Sequence, residues 1–486
     1  MRRLTALLVL LLAPKVHAQS NFESALLGGR STLMGGAAVA TGSDEATAFI
    51  NPAGITRVPG TSFSFSTVAI HLASRHINNA VDPSQNLKVE HPDAGKLTLR
   101  FIPNTFCLFL NGPPKDDFSH RSRHKYSLCA ASTERERLSF SQNRFDAEAE
   151  QFKGTSQSTS TEFVKSSVAL SWGIELDRRT SLGMTFRVDN SRYQDHSGSV
   201  DFAGNTGYGM YQSLSLSRSA WSWDTSVTVG ITSNISRVVT LGAALTTPSQ
   251  HLLGRYTSQT LVALRTPQGY GVVQDDGDFR YNNPGSLRLG LGFSWPKLTI
   301  EVNGSFYGPQ QQRARANFDR RLVAFDENST TATESGRASV TEKGKPITNL
   351  SVGAEYFISP DFSVLGGAST DFSGLYNRTN QAPGDMLFRQ SRDAVLGSVG
   401  LTSYGRRGRL LLGLQGQYSW GKALVADPSL VQPEFVALDQ SYWSLAFVIS
   451  GQINLLTVFE AAEKAVGPLA EQMSGSRGTD KEEPQK

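Results

Sequence analysis

The sequence predicts an all-β fold, a transmembrane antiparallel β-barrel of about 14 strands with an N-terminal hatch, or plug, in its lumen. Three observations carry that prediction. Fourteen stretches alternate apolar and polar residues, the gaps between them alternate short and long, and no segment after the N-terminus approaches the ~20 continuous apolar residues of a spanning helix. The stretch Ser286 to Trp295 shows the pattern best: Leu287, Leu289, Leu291, Phe293 and Trp295 alternate with Ser286, Arg288, Gly290, Gly292 and Ser294. Strand side chains point to opposite faces with period 2, so one face is wholly apolar and the other polar or small. A chain that repeats this along its length, without long helices to cover the apolar face, most simply buries that face in lipid.

Taken in chain order, residues 1–18 read as a secretory signal peptide. Met1-Arg2-Arg3 is a basic start, Leu4 to Ala13 a short apolar run, and Val16-His17-Ala18 a small-residue cleavage site. Gln19, not Cys, follows the cut, which speaks against lipoprotein processing. Residues 19–60 read as the plug. Gly28, Gly29, Gly35, Gly36, Ala37, Ala38 and Ala40 allow close packing, and a helix-like run from Ser43 to Ile50 is stopped by Asn51-Pro52. Proline lacks an amide donor and turns the preceding residue away from helix, so a sharp turn is expected there.

Residues 61–452 read as the barrel. Strands are expected near 61–71, 101–110, 124–133, 162–176, 180–190, 219–233, 236–247, 286–295, 297–307, 347–358, 361–372, 394–404, 408–420 and 440–452. The polar stretches 191–218, 248–285, 308–346, 373–393 and 421–439 are expected as extracellular loops, with tight periplasmic turns between them. An even strand count places both termini in the periplasm. Val168, Leu170, Trp172, Ile174 and Leu176 form one face of a strand, and Ser167, Ala169, Ser171, Gly173 and Glu175 the other. Val227, Val229 and Ile231 oppose Ser226, Thr228 and Gly230 in the same way. Trp221, Trp223, Trp295, Tyr418, Trp420, Tyr442 and Trp443 read as interfacial aromatic girdles. Residues 453–486 form a periplasmic tail, in which Leu455, Phe459, Ala462, Val466 and Leu469 fall at helical spacing.

Charge gives no lead to nucleic acid. The chain holds 47 Lys and Arg against 43 Asp and Glu, and three of the basic residues lie in the signal. Cys107 and Cys129 fall in neighbouring strands; the favoured reading is two small apolar wall residues, and the alternative is a periplasmic disulfide.

Gly29-Arg30, Gly35-Gly36-Ala37-Ala38, Asn51-Pro52-Ala53-Gly54 and Pro59-Gly60-Thr61-Ser62-Phe63 resemble the N-terminal signature of the FadL-type outer-membrane transporters of long-chain fatty acids and aromatic hydrocarbons. Pro284-Gly285-Ser286-Leu287-Arg288-Leu289-Gly290 is similar to a strand start of that family, and Ser351 to Tyr356 with Pro360 and Gly366-Gly367 to one of its hairpins. The resemblance implies a fourteen-stranded barrel plugged by an N-terminal hatch; no cofactor and no metal are expected. It further implies passive passage of a hydrophobic compound with lateral exit into the outer-membrane lipid, in a monomer. It assigns hatch conformation and transport to Asn51, Pro52, Ala53 and Gly54. Alternation puts Arg187 and Arg288 on the lumen face as candidates for a ligand carboxylate; Glu175, Asp224, Glu301 and Glu355 share that face, and pairing among these interior charges is the alternative reading. A porin-like or structural barrel is the alternative function. A barrel-embedded hydrolase is a further one, although no Gly-x-Ser-x-Gly or His-Glu-x-x-His motif occurs and no catalytic residue is assigned.

Overall fold

The structure, a computed structural model, describes residues 27–80, 94–112, 123–146, 152–205, 208–265, 268–326, 331–376, 387–405, 408–427 and 434–455. The expected signal peptide, the first plug residues and the tail beyond Leu455 lie outside these.

Alternating sequence becomes strand throughout. The strands are β1 (Ser62–Ile77), β2 (Ala94–Asn111), β3 (His124–Asp146), β4 (Phe152–Glu175), β5 (Thr180–Asn205), β6 (Tyr208–Asn234), β7 (Val239–Thr246), β8 (Gln250–Arg265) and β9 (Gln268–Tyr281). They continue with β10 (Ser286–Ser294), β11 (Leu298–Tyr307), β12 (Gln310–Asp326), β13 (Thr331–Gly344), β14 (Ile347–Ser359), β15 (Phe362–Asp371), β16 (Gln390–Gly405), β17 (Gly408–Asp427) and β18 (Glu434–Asn454). All pairings are antiparallel. The wall is a closed 14-stranded ring of β1–β7, β10, β11 and β14–β18, shut by β1 pairing with both β18 and β2. Each predicted strand corresponds to one of these.

The remaining strands form two hairpins, β8–β9 and β12–β13, which prolong the wall at one end: β8 continues along β6, and β9 pairs with β12. Much of the sequence expected as extracellular loop is therefore strand. These extensions carry Ser and Thr on their faces, as at Thr159, Thr161, Ser197 and Ser199, so hydrophobic periodicity does not mark them. The opposite end of the barrel has the tight turns, and there Ser62 pairs with Asn454, so the first and last strands meet at that end.

The expected faces are present. Val168, Leu170 and Trp172 are 50%, 59% and 37% exposed, whereas Ser167 and Ser171 are buried. Exposed apolar side chains of this kind recur around the whole wall, the surface that lipid would cover. The aromatics Trp223, Tyr418 and Trp443 project outward ten or eleven residues above the turn-end termini Asn234, Gly408 and Asn454. That spacing matches the 9–11 residues a tilted strand needs to cross a bilayer.

Cys107 and Cys129 are a correction to the favoured sequence reading. They pair in register across β2 and β3 and form a disulfide, facing inward at 1% exposure each. Composition says nothing of register, and it is register that places the two Cα atoms 4.1 Å apart.

Candidate functional site

Residues 27–58 do not join the sheet. They form two short helices, Gly29–Leu33 and Thr47–Ile50, and a 3-10 helix, Pro52–Arg57, almost entirely buried against the inner wall. Carboxylates fasten this segment from all sides. Ala40 N and Thr41 N donate to Glu301 of β11 at 2.7 and 2.8 Å, and Arg30 Nε donates to Glu355 of β14 at 2.8 Å. Within the segment, Gly29 N donates to Glu45 at 3.0 Å and Ser31 N to Asp44 at 2.7 Å; Glu45 also accepts from Ser64 of β1 and Ser450 of β18. Burial, with the Asp44 carboxylate beside it, raises the Glu45 carboxyl above the ordinary glutamate range. Glu301 and Glu355 were legible as lumen-face charges; that they hold the plug required the fold.

The Asn51-Pro52-Ala53-Gly54 turn sits where the expectation put a sharp bend. Asn51 is extended (φ −147°, ψ 102°) and caps the 3-10 helix, its Oδ1 accepting from Ala53 N at 3.2 Å. Its Nδ2 donates to Val39 O at 2.7 Å within the plug and to Ile231 O of β6 at 3.1 Å. One fully buried amide therefore ties two parts of the plug to each other and to the wall. Close approach is possible because the facing wall residues are glycines in register: Gly173 on β4 pairs with Gly183 on β5, which pairs with Gly230 on β6. A Cβ on Gly183 would overlap the Pro52 backbone, one on Gly230 the Asn51 side chain, and one on Gly173 Ile55. Further round, Gly353 and Gly367 receive Met34, and Gly242 and Gly290 receive Val39. Sequence reading placed Gly173 and Gly230 on the small-residue face without seeing what they accommodate.

Arg187 and Arg288, on different strands, meet at one cavity of about 50 Å³ beside the plug, together with Lys165, Thr133, Leu27 and Phe49. Each cation is anchored. Arg187 pairs with Asp189 at 3.2 Å, Arg288 donates to Tyr307 OH at 2.9 Å, and Lys165 donates to Asn283, which donates in turn to Asp189. Lys165 is the member that sequence reading missed. Towards the long-strand end the lumen is filled by a buried aromatic cluster that includes Phe163, Tyr193, Tyr256, Phe279, Tyr281 and Phe388, with the Phe163 and Tyr281 rings 5.0 Å apart.

The wall itself is interrupted between β2 and β3. Their ladder runs only from Asn111–Lys125 to Thr105–Ala131, although β2 goes on to Ala94 alongside β1 and β3 to Asp146 alongside β4. Pro103 explains the break: it has no N–H to give, and proline in a sheet belongs at an edge or a bulge. Strand β3 has a register shift between Ser132 and Glu134, at Thr133, a residue that lines the cavity just described. Thr105 Oγ1, buried at the last rung, has no hydrogen-bond partner among the described residues. Six residue steps at about 3.3 Å, tilted by about 40°, lift the end of the ladder roughly 15 Å above the turn end, within an apolar band of about 25 Å.

Ser222, Asp224 and His251 lie together, but they are not arranged as a nucleophile relay. Ser222 Oγ and Asp224 Oδ1 both approach the same His251 Nδ1, each at 3.2 Å, and Ser222 also donates to Asp224 at 2.9 Å. A relay needs the carboxylate on one ring nitrogen and the hydroxyl on the other.

These features define a class: a 14-stranded transmembrane barrel whose lumen holds its own N-terminal segment. Its fold is that of the FadL-type barrels. The structure is similar to a FadL homologue of Pseudomonas aeruginosa (TM-score 0.56, 12% identity, covering 90% of this chain and 100% of that one). It is also similar to the toluene transporters TodX of Pseudomonas putida (TM-score 0.53, 12% identity, 90% and 100%) and TbuX of Ralstonia pickettii (TM-score 0.51, 13% identity, 89% and 99%). At these identities the likeness is one of fold. The chain matches no protein-family model and no curated protein sequence.

Proposed function

We propose that the chain is an outer-membrane channel for passive uptake of hydrophobic compounds, with the turn end and both termini in the periplasm. A solute enters through the aromatic cluster at the extracellular end and reaches the cavity beside the plug. It leaves through the β2–β3 seam into the bilayer, while residues 19–60 act as the hatch that closes the axial route. The observation that carries this reading is that the β2–β3 ladder ends inside the apolar band next to a lumenal cavity. A lateral route suits such a solute, since each methylene gains about 0.8 kcal/mol by leaving water. The fold shared with the toluene transporters and the FadL homologue supports the hydrophobic solute class. Among those solutes, Lys165, Arg187 and Arg288 favour a long-chain fatty acid, since the cavity of about 50 Å³ that they line has room for its carboxylate, with Leu27 and Phe49 at its wall.

The test is uptake of oleate and of toluene in a Gram-negative host lacking its own long-chain importer. A cross-link at the next rung, Asn104→Cys with Ser132→Cys in a Cys107→Ala/Cys129→Ala background, should stop uptake when oxidised and release it when reduced. Equal uptake in both states would rule out the seam. Porin-like conductance by the unaltered chain would rule out the closed hatch.

A further inference from the structure

A second and larger cavity, of about 810 Å³, opens at the turn end of the barrel beneath the plug. Among the described residues its lining carries six arginines, Arg30, Arg57, Arg178, Arg179, Arg237 and Arg409, against one carboxylate, Glu355. Glu355 is committed to Arg30, and also accepts from Tyr404 OH at 2.6 Å and Ser363 Oγ at 2.8 Å. Arg57 donates to Ala40 O and Arg409 to Ser43 O, backbone acceptors that neutralise nothing. Arg178 and Arg237 make no side-chain hydrogen bond or ion pair among the described residues. The nearby Asp177 uses Oδ1 to accept from the backbone N–H groups of Arg179 and Thr180, at 2.6 and 2.8 Å, which holds its carboxyl below the usual range. Three further carboxylates lie near these arginines, each hydrogen-bonded elsewhere: Glu301, beside Arg57, to Ala40 and Thr41; Glu45, beside Arg409, to Gly29, Ser64 and Ser450; and Asp44, beside Arg30, to Ser31.

Guanidinium groups gathered around one concavity repel one another unless an anion sits among them. Their planar fork matches phosphate and carboxylate oxygens in pairs. The volume lies in the range of small-molecule sites, about 300–1,000 Å³. We propose that this vestibule binds a small soluble polyanion carrying two or more phosphate or carboxylate groups. Arg30 and Arg57 come from the plug, and Arg178, Arg179, Arg237 and Arg409 from the wall, so the bound anion ties plug to wall. The site is independent of the route taken by hydrophobic solutes.

The probes are tripolyphosphate and citrate, titrated calorimetrically at low ionic strength into the full chain in an uncharged detergent. Wild type should bind at least one of them saturably at 1:1, and the tighter of the two identifies the preferred anionic group. Arg178→Gln/Arg179→Gln/Arg237→Gln should weaken that binding at least tenfold. A control, Arg192→Gln/Arg255→Gln/Arg337→Gln, removes the same charge from the other end of the barrel and should bind as wild type does. Gel migration before and after heating verifies that both variants fold. Hydrogen exchange over 29–57 should slow when the site is filled in wild type and in the control, but not in the vestibule variant. Absence of saturable binding, or equal weakening in both variants, overturns the site; binding without slowed exchange overturns the tie.

Discussion

Replacing Asn51 by Ala tests the hatch at its most connected side chain. Asn51 is fully buried and makes three side-chain hydrogen bonds, to Val39 O, to Ile231 O and from Ala53 N. At about 1 kcal/mol net for each, their loss weakens the seating of the turn by about 3 kcal/mol, because the stranded groups stay away from water. That corresponds to roughly a hundredfold shift between seated and unseated plug. The barrel should be untouched, since its ladders do not run through residue 51. The assay is amide exchange over residues 39–57 in the detergent-solubilised chain, with heat-dependent gel migration to verify an intact barrel. Exchange should rise by about two orders of magnitude and oleate uptake should fall, because the plug no longer presents Phe49 and Leu27 to the cavity. Exchange within threefold of wild type would refute the reasoning, since the three bonds would then not be what holds the plug.

Gly183→Leu drives a side chain into the Pro52 backbone, which cannot rotate away, so the plug should lift and single-channel conductance in planar bilayers should rise; an unchanged conductance would show that the plug does not close the axis. Cys107→Ala with Cys129→Ala removes a cross-link closing a loop of sequence separation 22, worth about 3 kcal/mol. The temperature at which the barrel unfolds on a heated gel should drop, and reductant should lower wild type alone by the same amount. Because Glu45 is raised in the folded chain, plug seating should weaken as pH rises through that elevated value. Glu45→Gln should flatten this dependence in the same exchange assay, and a parallel profile would show that Glu45 is not its source. Arg288→Ala should reduce oleate uptake while leaving toluene uptake intact; equal loss of both would remove its role in holding a carboxylate.

Strand number and facing were legible because they are local. A strand facing lipid on one side must repeat with period 2, and Val168-Ala169-Leu170-Ser171-Trp172 states its own orientation whatever it pairs with. The N-terminal segment stood apart for a related reason: residues 19–60 break the period, favour small side chains and contain Asn51-Pro52, a turn fixed by proline's own geometry. Strands beyond the membrane were read as loops because water imposes no apolar face on them. Thr159 and Ser197 line the inside there as readily as Val168 faces the outside.

By itself, then, the sequence determined the barrel, the strand count of its wall and its two faces, and it marked the N-terminal segment as something other than wall, since each follows from residues near one another in the chain. Only the tertiary structure decided what meets what. It joined Cys107 to Cys129, set Gly183 and Gly230 under Asn51-Pro52, and gave Glu301 and Glu355 to the plug. It brought Arg187 and Arg288 to one cavity, gathered six arginines beneath the plug, and ended the β2–β3 ladder at Thr105. All of these depend on register between strands distant in sequence, and register is set by pairing around the closed ring rather than by any property of a strand alone.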